Sequence, residues 1–417
     1  MLIELFGRNF LSFRDEFRLS MLATEIDPEN PRGVIDVELH GDDEPLTLLR
    51  SVAIYGPNAS GKTNLIRAAD ALGALLGQSL ETPSDEPMGL YVPFRLNAQS
   101  AERPVMLGIR AVVERRVYEY VIEYERAGFL SEKLKRIDAD GSELLFDRAA
   151  DVVTGSWTTH PQFALVLRSF RSNKLLLSLA DAFAPDLAGE IAVGFRRLLA
   201  ARNPTWTHPM YAGQEAAQRA HQDKSGFGQW MLEWLQAADF GIVDYNVNEV
   251  EGARGRGKEL SPNEEIELEL LHATDSAPVR LKWQLESEGT RRMLQLLPFI
   301  YDLSSARRGQ AYFIDEISAS MHPKLFAAIL REFNSDVLPD SGTGQLIFTT
   351  HDTTVIDGEA RSAPLRRDQI YFTEKDASGA SRLYSLAEFR ERQTVNLRKR
   401  YLQGRYGALP VIGRFGT

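Results

Sequence analysis

The sequence contains no cysteine, which excludes a disulfide framework, a thiolate zinc site, an iron–sulfur cluster and a cysteine nucleophile. No apolar run reaches the roughly 18 residues that a membrane-spanning helix needs. Residues 1–6 lack the basic and long apolar parts of a signal peptide, so we expect a cytoplasmic protein that contacts no membrane. A basic surplus is also missing. The 58 acidic residues outnumber the 48 basic ones, which is unusual for a protein that coats nucleic acid.

The 417 residues also lack an internal repeat and a sustained heptad pattern. Residues 1–150 predict an N-terminal lobe of short strands and antiparallel strands, with a hairpin turn at Asp140-Gly141. Residues 151–244 predict a helical insertion. Residues 245–417 predict a C-terminal lobe of alternating strands and helices. The insertion carries two apolar helical stripes, which we interpret as core: Leu187, Ile191, Phe195, Leu198 and Leu199, then Phe227, Trp230, Met231, Trp234 and Leu235.

A phosphate loop follows the apolar strand predicted at residues 51–55. Residues 56–63 read G-x-x-x-x-G-K-T, and residues 64–72 predict the helix that the motif requires after it. Lys62 supplies a positive charge for the β- and γ-phosphates, and the Thr63 hydroxyl is a ligand for Mg²⁺. The residues expected to bind the phosphates are Gly56, Asn58, Ala59, Ser60, Gly61, Lys62, Thr63 and Asn64.

Two further apolar strands end in residues with reactive side chains. The strand at residues 311–314 runs into Asp315, expected to contact Mg²⁺, and Glu316, expected to be the general base for an attacking water. The strand at residues 345–350 runs into His351. Since adjacent parallel strands end at one edge of a sheet, we expect His351 to contact the γ-phosphate.

A second anion-binding pattern lies upstream of the carboxylate pair. Ser287 and Gly289 precede a predicted helix, whose first amide groups suit an anion. This segment cannot bind the same phosphate from the same side as the phosphate loop. We therefore expect it to act on the phosphate held by a second copy of the chain.

The order of these motifs resembles the ABC-type ATPase heads, which include the SMC proteins, RecF and the OLD family. The resemblance covers residues 1–100 and 245–417. It implies an α/β head, in which a P-loop sheet and an antiparallel β lobe carry the inserted helical region. It also implies ATP and Mg²⁺ as cofactors, a nucleotide contact by Arg14, a D-loop at residues 317–323 and a Q-loop near Gln99.

Among these heads, the sequence most resembles the stand-alone ATPases of bacterial anti-phage operons, such as RloA, AbiLi and AriA of the PARIS system. The features that carry this are residues 54–63, 286–290 and 367–370 and the tail at 401–410. A gap of 253 residues between Lys62 and Asp315, without coiled-coil pattern, argues against an SMC protein. Only 66 residues follow His351, too few for the TOPRIM nuclease of the OLD proteins.

The resemblance implies an ATPase that hydrolyses ATP between the heads of a homodimer. It would act as the switch that holds or activates a separate effector, a TOPRIM-like or RloB-like nuclease, when a phage trigger is sensed. Two alternatives stay open. One is a RecF-like DNA-repair or DNA-loading ATPase, for which residues 381–417, with eight basic residues against two acidic ones, would contact DNA. The other is a nucleotide-binding scaffold for a toxin with low turnover.

Overall fold

The computed structural model describes residues 1–26, 32–83, 86–199, 213–238, 240–249, 266–305, 309–335, 343–357, 363–391 and 395–410. The strands are β1 (Leu2–Arg8), β2 (Phe17–Ser20), β3 (Val34–Val37), β4 (Leu46–Leu49), β5 (Ser51–Tyr55), β6 (Val105–Val113), β7 (Arg116–Glu125), β8 (Gly128–Asp138), β9 (Gly141–Ala149), β10 (Val152–Thr154), β11 (Ile242–Glu249), β12 (Ile266–His272), β13 (Val279–Lys282), β14 (Ala311–Ile314), β15 (Gln345–Thr349), β16 (Ile370–Lys375) and β17 (Ser381–Ser385). The helices are α1 (Lys62–Gln78), α2 (Ala98–Ala101), α3 (Phe163–Arg168), α4 (Leu176–Phe183), α5 (Pro185–Leu198), α6 (Gln214–Gln222), α7 (Gln229–Ala237), α8 (Glu288–Ser305), α9 (Pro323–Phe333) and α10 (Leu397–Leu402).

The central sheet brings together strands from both ends of the chain. Its order is β14-β15-β5-β16-β17, and all neighbours are parallel except β16 and β17. Every residue of β5, β14 and β15 is buried, as expected for parallel strands covered on both faces. Because β5 lies beside β15 and β15 beside β14, the segments that follow these three strands emerge at one edge of the sheet.

A seven-stranded antiparallel sheet forms the second layer, in the order β10-β9-β8-β7-β6-β1-β2. The predicted hairpin is present, but the position of its turn was predicted one residue too late. The register pairs Asp138 with Gly141, so Ala139 and Asp140 form the turn. Gly141 opens β9 at a φ of +146°, a conformation that favours glycine.

The helical insertion begins after β10, at Ser156, and packs against the antiparallel sheet. A buried carboxylate fixes this contact. Glu132 of β8 accepts hydrogen bonds from the backbone N–H groups of Leu176 (2.6 Å) and Leu177 (2.9 Å) at the start of α4, and from the Tyr120 hydroxyl. A charge buried this deeply is tolerable only with several donors.

Both apolar stripes of the insertion are packing faces, as predicted. In the first stripe all residues except the partly exposed Leu187 are buried. In the second, Phe227 is buried, whereas Trp230 and Trp234 are partly exposed and pack on one another with ring centroids 4.8 Å apart. The strands β11, β12 and β13 then form a small antiparallel sheet that leads into α8.

The parallel sheet separates two apolar clusters. Val52 and Ile54 of β5 face the cluster that contains α1, the antiparallel sheet and α4–α5. Ala53 and Tyr55 face the cluster that contains α8, α9 and α10. Within the described part of the chain, no helix is both long enough and apolar enough to cross a bilayer.

Candidate functional site

The phosphate loop connects β5 to α1, and two of its glycines lie where no side chain fits. A Cβ at Gly56 would lie 2.4 Å from the backbone oxygen of Thr373. Gly61 has a φ of +114°, and a Cβ there would lie 2.5 Å from the Ser381 hydroxyl. Asn58 and Ala59 are exposed at the tip of the loop, and Ala59 is left-handed at a φ of +62°. The loop therefore has the tight curvature that the motif predicts.

Three side chains that the sequence did not single out hold this loop: Thr373, Ser381 and Ser12. The Ser60 hydroxyl lies 2.6 Å from the Thr373 hydroxyl, and Ser381 donates a hydrogen bond of 2.6 Å to the Ser60 carbonyl oxygen. The Ser381 and Ser12 hydroxyls also lie 2.7 Å apart, and the Ser12 hydroxyl accepts from the Asn64 side-chain amide. Serine and threonine at these positions leave no recognisable sequence signal, because their partners lie 50 to more than 300 residues away.

Lys62 is buried at the start of α1. Its ammonium group donates to the carbonyl oxygens of Gly56 (2.8 Å) and Pro57 (3.1 Å). Burial lowers the pKa of Lys62, while the negative charges of Asp315 and Glu316 oppose that shift. The ammonium group is thus held at the loop by weak neutral acceptors, which an anion can replace.

Thr63 and Asp315 meet directly. The Thr63 hydroxyl donates to Asp315 Oδ2 over 2.7 Å, and the Thr349 hydroxyl donates to Asp315 Oδ1 over 2.5 Å. Two adjacent hard oxygens fit one side of a Mg²⁺ ion, which commonly takes its other ligands from phosphate and water. The described residues contain no cluster of three or more histidine or acidic side chains suited to a metal, so this pair does not form a complete protein cage.

Glu316 follows with an exposed side chain and a strained backbone. Its φ is +47°, an unusual conformation for a residue with a side chain. Its N–H donates to the Thr349 hydroxyl over 2.8 Å, and its carbonyl oxygen accepts from the guanidinium of Arg292 over 2.9 Å. These contacts fix the backbone while leaving the carboxylate open to solvent.

Arg292 of α8 is the main site residue that sequence reasoning missed. Its guanidinium is buried between the Glu316 carbonyl oxygen and the Gln295 side chain, which accepts over 2.8 Å. Burial lowers the pKa of Arg292 to about 10, partly offset by the charge of Glu316. The only signal in the sequence is a charged residue on the otherwise apolar face of α8.

His351 emerges at the same edge, two residues beyond β15, with an exposed side chain. Burial of part of the ring lowers its pKa, as does the charge of Lys62, while Glu316 and Asp315 raise it. The structure brings the residues predicted from three separate strands to one edge of the sheet, because β15, which precedes His351, lies between β5 and β14, and Thr349 at its end contacts Asp315. At neutral pH the imidazole is neutral.

Ser287 and Gly289 begin α8. Ser287 caps the helix, since its hydroxyl accepts from the Thr290 N–H over 3.1 Å. A Cβ at Gly289 would lie 3.1 Å from the carbonyl oxygen of Ser320, so this helix start packs against the predicted D-loop segment. Among the described contacts, none joins Ser287 or Gly289 to the phosphate loop of the same chain.

Arg14 and Gln99 occupy less informative positions. The Arg14 guanidinium donates hydrogen bonds to Asp15 and to the Ser378 hydroxyl (3.0 Å). Arg14 lies between β1 and β2, on the loop that also carries Ser12. Gln99 is exposed on α2. Asn9, not Gln99, organises this region, because its side-chain oxygen accepts from the Phe94 N–H and its two amide hydrogens are shared among the carbonyl oxygens of Ser100, Arg103 and Pro104.

Comparison with known proteins gives one family match. A family model described as "AAA domain, putative AbiEii toxin, Type IV TA system" matches residues 51–357, the span from β5 to just after His351. The SMC head domain from Thermotoga maritima is a similar solved structure, with 13% identity over 92% of this chain and 98% of that one. The TM-score of this comparison is 0.40. No curated protein matches the sequence.

Proposed function

Because the chain belongs to the AAA-domain family of the putative AbiEii toxin of type IV toxin–antitoxin systems, we propose that it binds ATP with Mg²⁺ and hydrolyses it. The observation that carries this proposal is the junction of three segments distant in sequence. The Thr63 hydroxyl contacts the Asp315 carboxylate, the Lys62 ammonium group lies on the loop, and His351 lies close enough to Lys62 and Asp315 for their charges to shift its pKa.

Each residue has a distinct task in this proposal. The loop amide groups and Lys62 bind the β- and γ-phosphates, and Lys62 exchanges its carbonyl partners for phosphate oxygens. Thr63 and Asp315 would hold Mg²⁺, which neutralises phosphate charge. Glu316 accepts a proton from water as the water oxygen attacks the γ-phosphorus and the bond to the β–γ bridging oxygen breaks. Neutral His351 donates a hydrogen bond to a γ-phosphate oxygen.

We further propose that two copies form the complete site. Ser287 and Gly289 expose a capped helix start, but the described contacts connect it to the D-loop segment and not to the phosphate loop. A second copy in the facing orientation would place this helix start against the γ-phosphate. ATP would then stabilise the dimer, and hydrolysis would release it.

A role in a toxin–antitoxin system fits the family description, and we propose that this role lies in defence against phage. In this proposal the ATP-dependent dimer is a switch that holds or activates a separate effector, a TOPRIM-like or RloB-like nuclease, in response to a phage trigger. The RecF-like alternative depends on the basic tail. Part of that charge is neutralised within the chain, because Arg398 pairs with Asp357 and both Arg400 and Arg405 lie within 4.0 Å of Glu391. Arg392 and Arg414 lie outside the described residues.

The test compares the wild-type chain with Lys62→Ala and Glu316→Gln. We expect ATP turnover in the wild type and none in either variant. Glu316→Gln should still bind ATP and accumulate a dimer in sedimentation velocity, because the carboxylate is not needed for binding. Lys62→Ala should stay monomeric with ATP. Wild-type turnover no higher than that of Lys62→Ala would overturn the ATPase, and a Glu316→Gln protein that ATP leaves unchanged in mass would overturn the dimer. Salt-dependent DNA binding that stimulates turnover would favour the RecF-like alternative.

A further inference from the structure

The tail motif at residues 401–410 has a conformation that its residues dictate. Tyr401 packs against Tyr55 and Phe372, with ring centroids 5.8 and 5.2 Å apart, and its hydroxyl donates to the Ala408 carbonyl oxygen. Gly407 has a φ of +69°, and a Cβ there would lie 2.6 Å from Glu374 Oε2. The motif therefore folds back under the strand that carries the phosphate loop.

The helix before this motif contacts the segment after His351. Arg398 of α10 donates through Nε to the Thr353 hydroxyl over 3.0 Å and through Nη1 to Asp357 Oδ2 over 3.2 Å. Asn396, which caps α10, donates to the other oxygen of Asp357 over 2.9 Å. Residues 353 and 357 bracket a 3₁₀ turn, so α10 holds both ends of it.

The same aromatic cluster reaches the segment from the other side. Tyr55, which contacts Tyr401, donates its hydroxyl hydrogen to the Asp352 carbonyl oxygen over 2.9 Å. Residues 396–408, which we name the C-terminal clamp, thus hold the chain at 353 and 357, and Tyr55, against which the clamp packs, holds it at 352. On the N-terminal side of His351, Thr350 is held by the Ser318 hydroxyl over 2.7 Å.

His351 itself has no described hydrogen bond to its ring, and the side chain is exposed. The direction of the imidazole therefore depends on the backbone on either side of it. Such dependence matters in catalysis, since a small displacement of a group that contacts the reacting atoms slows the reaction.

We propose that the C-terminal clamp positions His351 for ATP hydrolysis and that Arg398 is its principal positioning residue. This proposal rests on the proposed ATPase function. In this proposal the tail contributes to ATP turnover and also packs under the sheet. The effect of losing Arg398 should be moderate, because a half-exposed ion pair with two hydrogen bonds is a weak restraint.

The test uses the full chain with Arg398→Ala, Arg398→Lys and the control Lys399→Ala, an exposed neighbour on the same helix. We expect Arg398→Ala to lower kcat about two- to fivefold at unchanged KM, and Arg398→Lys to restore part of the loss. Hydrogen exchange without nucleotide should become faster in a peptide covering residues 350–357 for Arg398→Ala. Lys399→Ala should match the wild type in both measurements.

A purely structural tail gives a different pattern. In a His351→Ala background, the proposal expects Arg398→Ala to cause no further loss of kcat, because the clamp acts through the imidazole. An equal further loss in that background would overturn it, as would an Arg398→Ala protein that matches Lys399→Ala in turnover and exchange. Either result leaves the proposed ATPase intact if the wild type turns over ATP. A wild type without turnover would overturn the function and this proposal together.

Discussion

Replacing Arg292 with methionine should separate stability from activity. Burial destabilises the charged guanidinium of Arg292. Lowering its pKa to about 10 corresponds to about 3 kcal/mol of free energy that disfavours the ionised form, at about 1.4 kcal/mol per pKa unit. Its hydrogen bonds to the Glu316 carbonyl oxygen and to Gln295 return about 1.5–3 kcal/mol each. The two contributions largely cancel and leave about 0–3 kcal/mol, so we expect Arg292→Met to lower the free energy of unfolding by no more than about 3 kcal/mol.

Turnover should respond more strongly than stability. Glu316 has a φ of +47°, a conformation that costs about 1–3 kcal/mol and persists only while its neighbours hold it. Without Arg292 the backbone can relax and move the proposed general base, so we expect kcat to fall at least about tenfold. The assay pairs urea unfolding with steady-state ATP hydrolysis, and Arg291→Met on the same helix is the control. A kcat within twofold of the wild type would refute the positioning argument. A stability loss well above about 3 kcal/mol would refute the cancellation.

Three further predictions follow from single positions. Gly56→Ala should lower the free energy of unfolding by about 2–3 kcal/mol and abolish nucleotide binding, because its Cβ would collide with the Thr373 backbone. The control Gly77→Ala, on the exposed face of α1, should raise the free energy of unfolding by about 0.5–1 kcal/mol. Thermal unfolding and ATP titration check both variants. Burial and the neighbouring lysine charge lower the pKa of His351, so the unfolded chain binds a proton at this residue at a higher pH than the folded chain does. His351 therefore lowers the free energy of unfolding as pH falls below 6.5. A His351→Asn protein should lose that part of the acid sensitivity when unfolding is measured as a function of pH. Burial raises the pKa of Asp70 to about 7, and its oxygens have no hydrogen-bond partner, so its contribution to stability is lost as pH rises from 3.8 to about 7. Asp70→Asn should remove this pH dependence and raise the free energy of unfolding by up to about 4 kcal/mol at pH 8. Equal unfolding curves of the two proteins at pH 8 would contradict this prediction.

The site could be predicted where strand order alone brings residues together. A buried parallel strand shows as a continuous apolar run, and the residue after it must lie at the edge of the sheet. Asp315 and His351 lie within two residues of such a run, and Lys62 follows one through the phosphate loop. The α/β architecture with an antiparallel lobe is confirmed by the strand order. The helix α9 begins at the end of the predicted D-loop segment, with His322 as its cap.

The residues that hold the site could not be predicted, because their signals are not local. Arg292 acts through the backbone of Glu316, and a backbone acceptor leaves no trace in a sequence pattern. Ser12 and Ser381 reach the phosphate loop from opposite ends of the chain. The observed hairpin turn lies one residue before the predicted one. An Asp-Gly pair indicates that a turn is present but does not by itself fix which residues of the two strands pair. The proposed roles of all the site residues, including those of Ser287, Gly289 and Arg14, stay predictions.

The position of β5 between β15 and β16 has a consequence for biosynthesis. On the ribosome, residue 345 emerges 294 positions after residue 51, a delay of about 15–60 seconds at roughly 5–20 residues per second. Throughout that interval the phosphate loop has neither of its sheet neighbours, while most strands of the antiparallel layer are already available to pair. A nascent or truncated polypeptide that stops before β15 therefore lacks both strands that flank the phosphate-loop strand in the folded sheet.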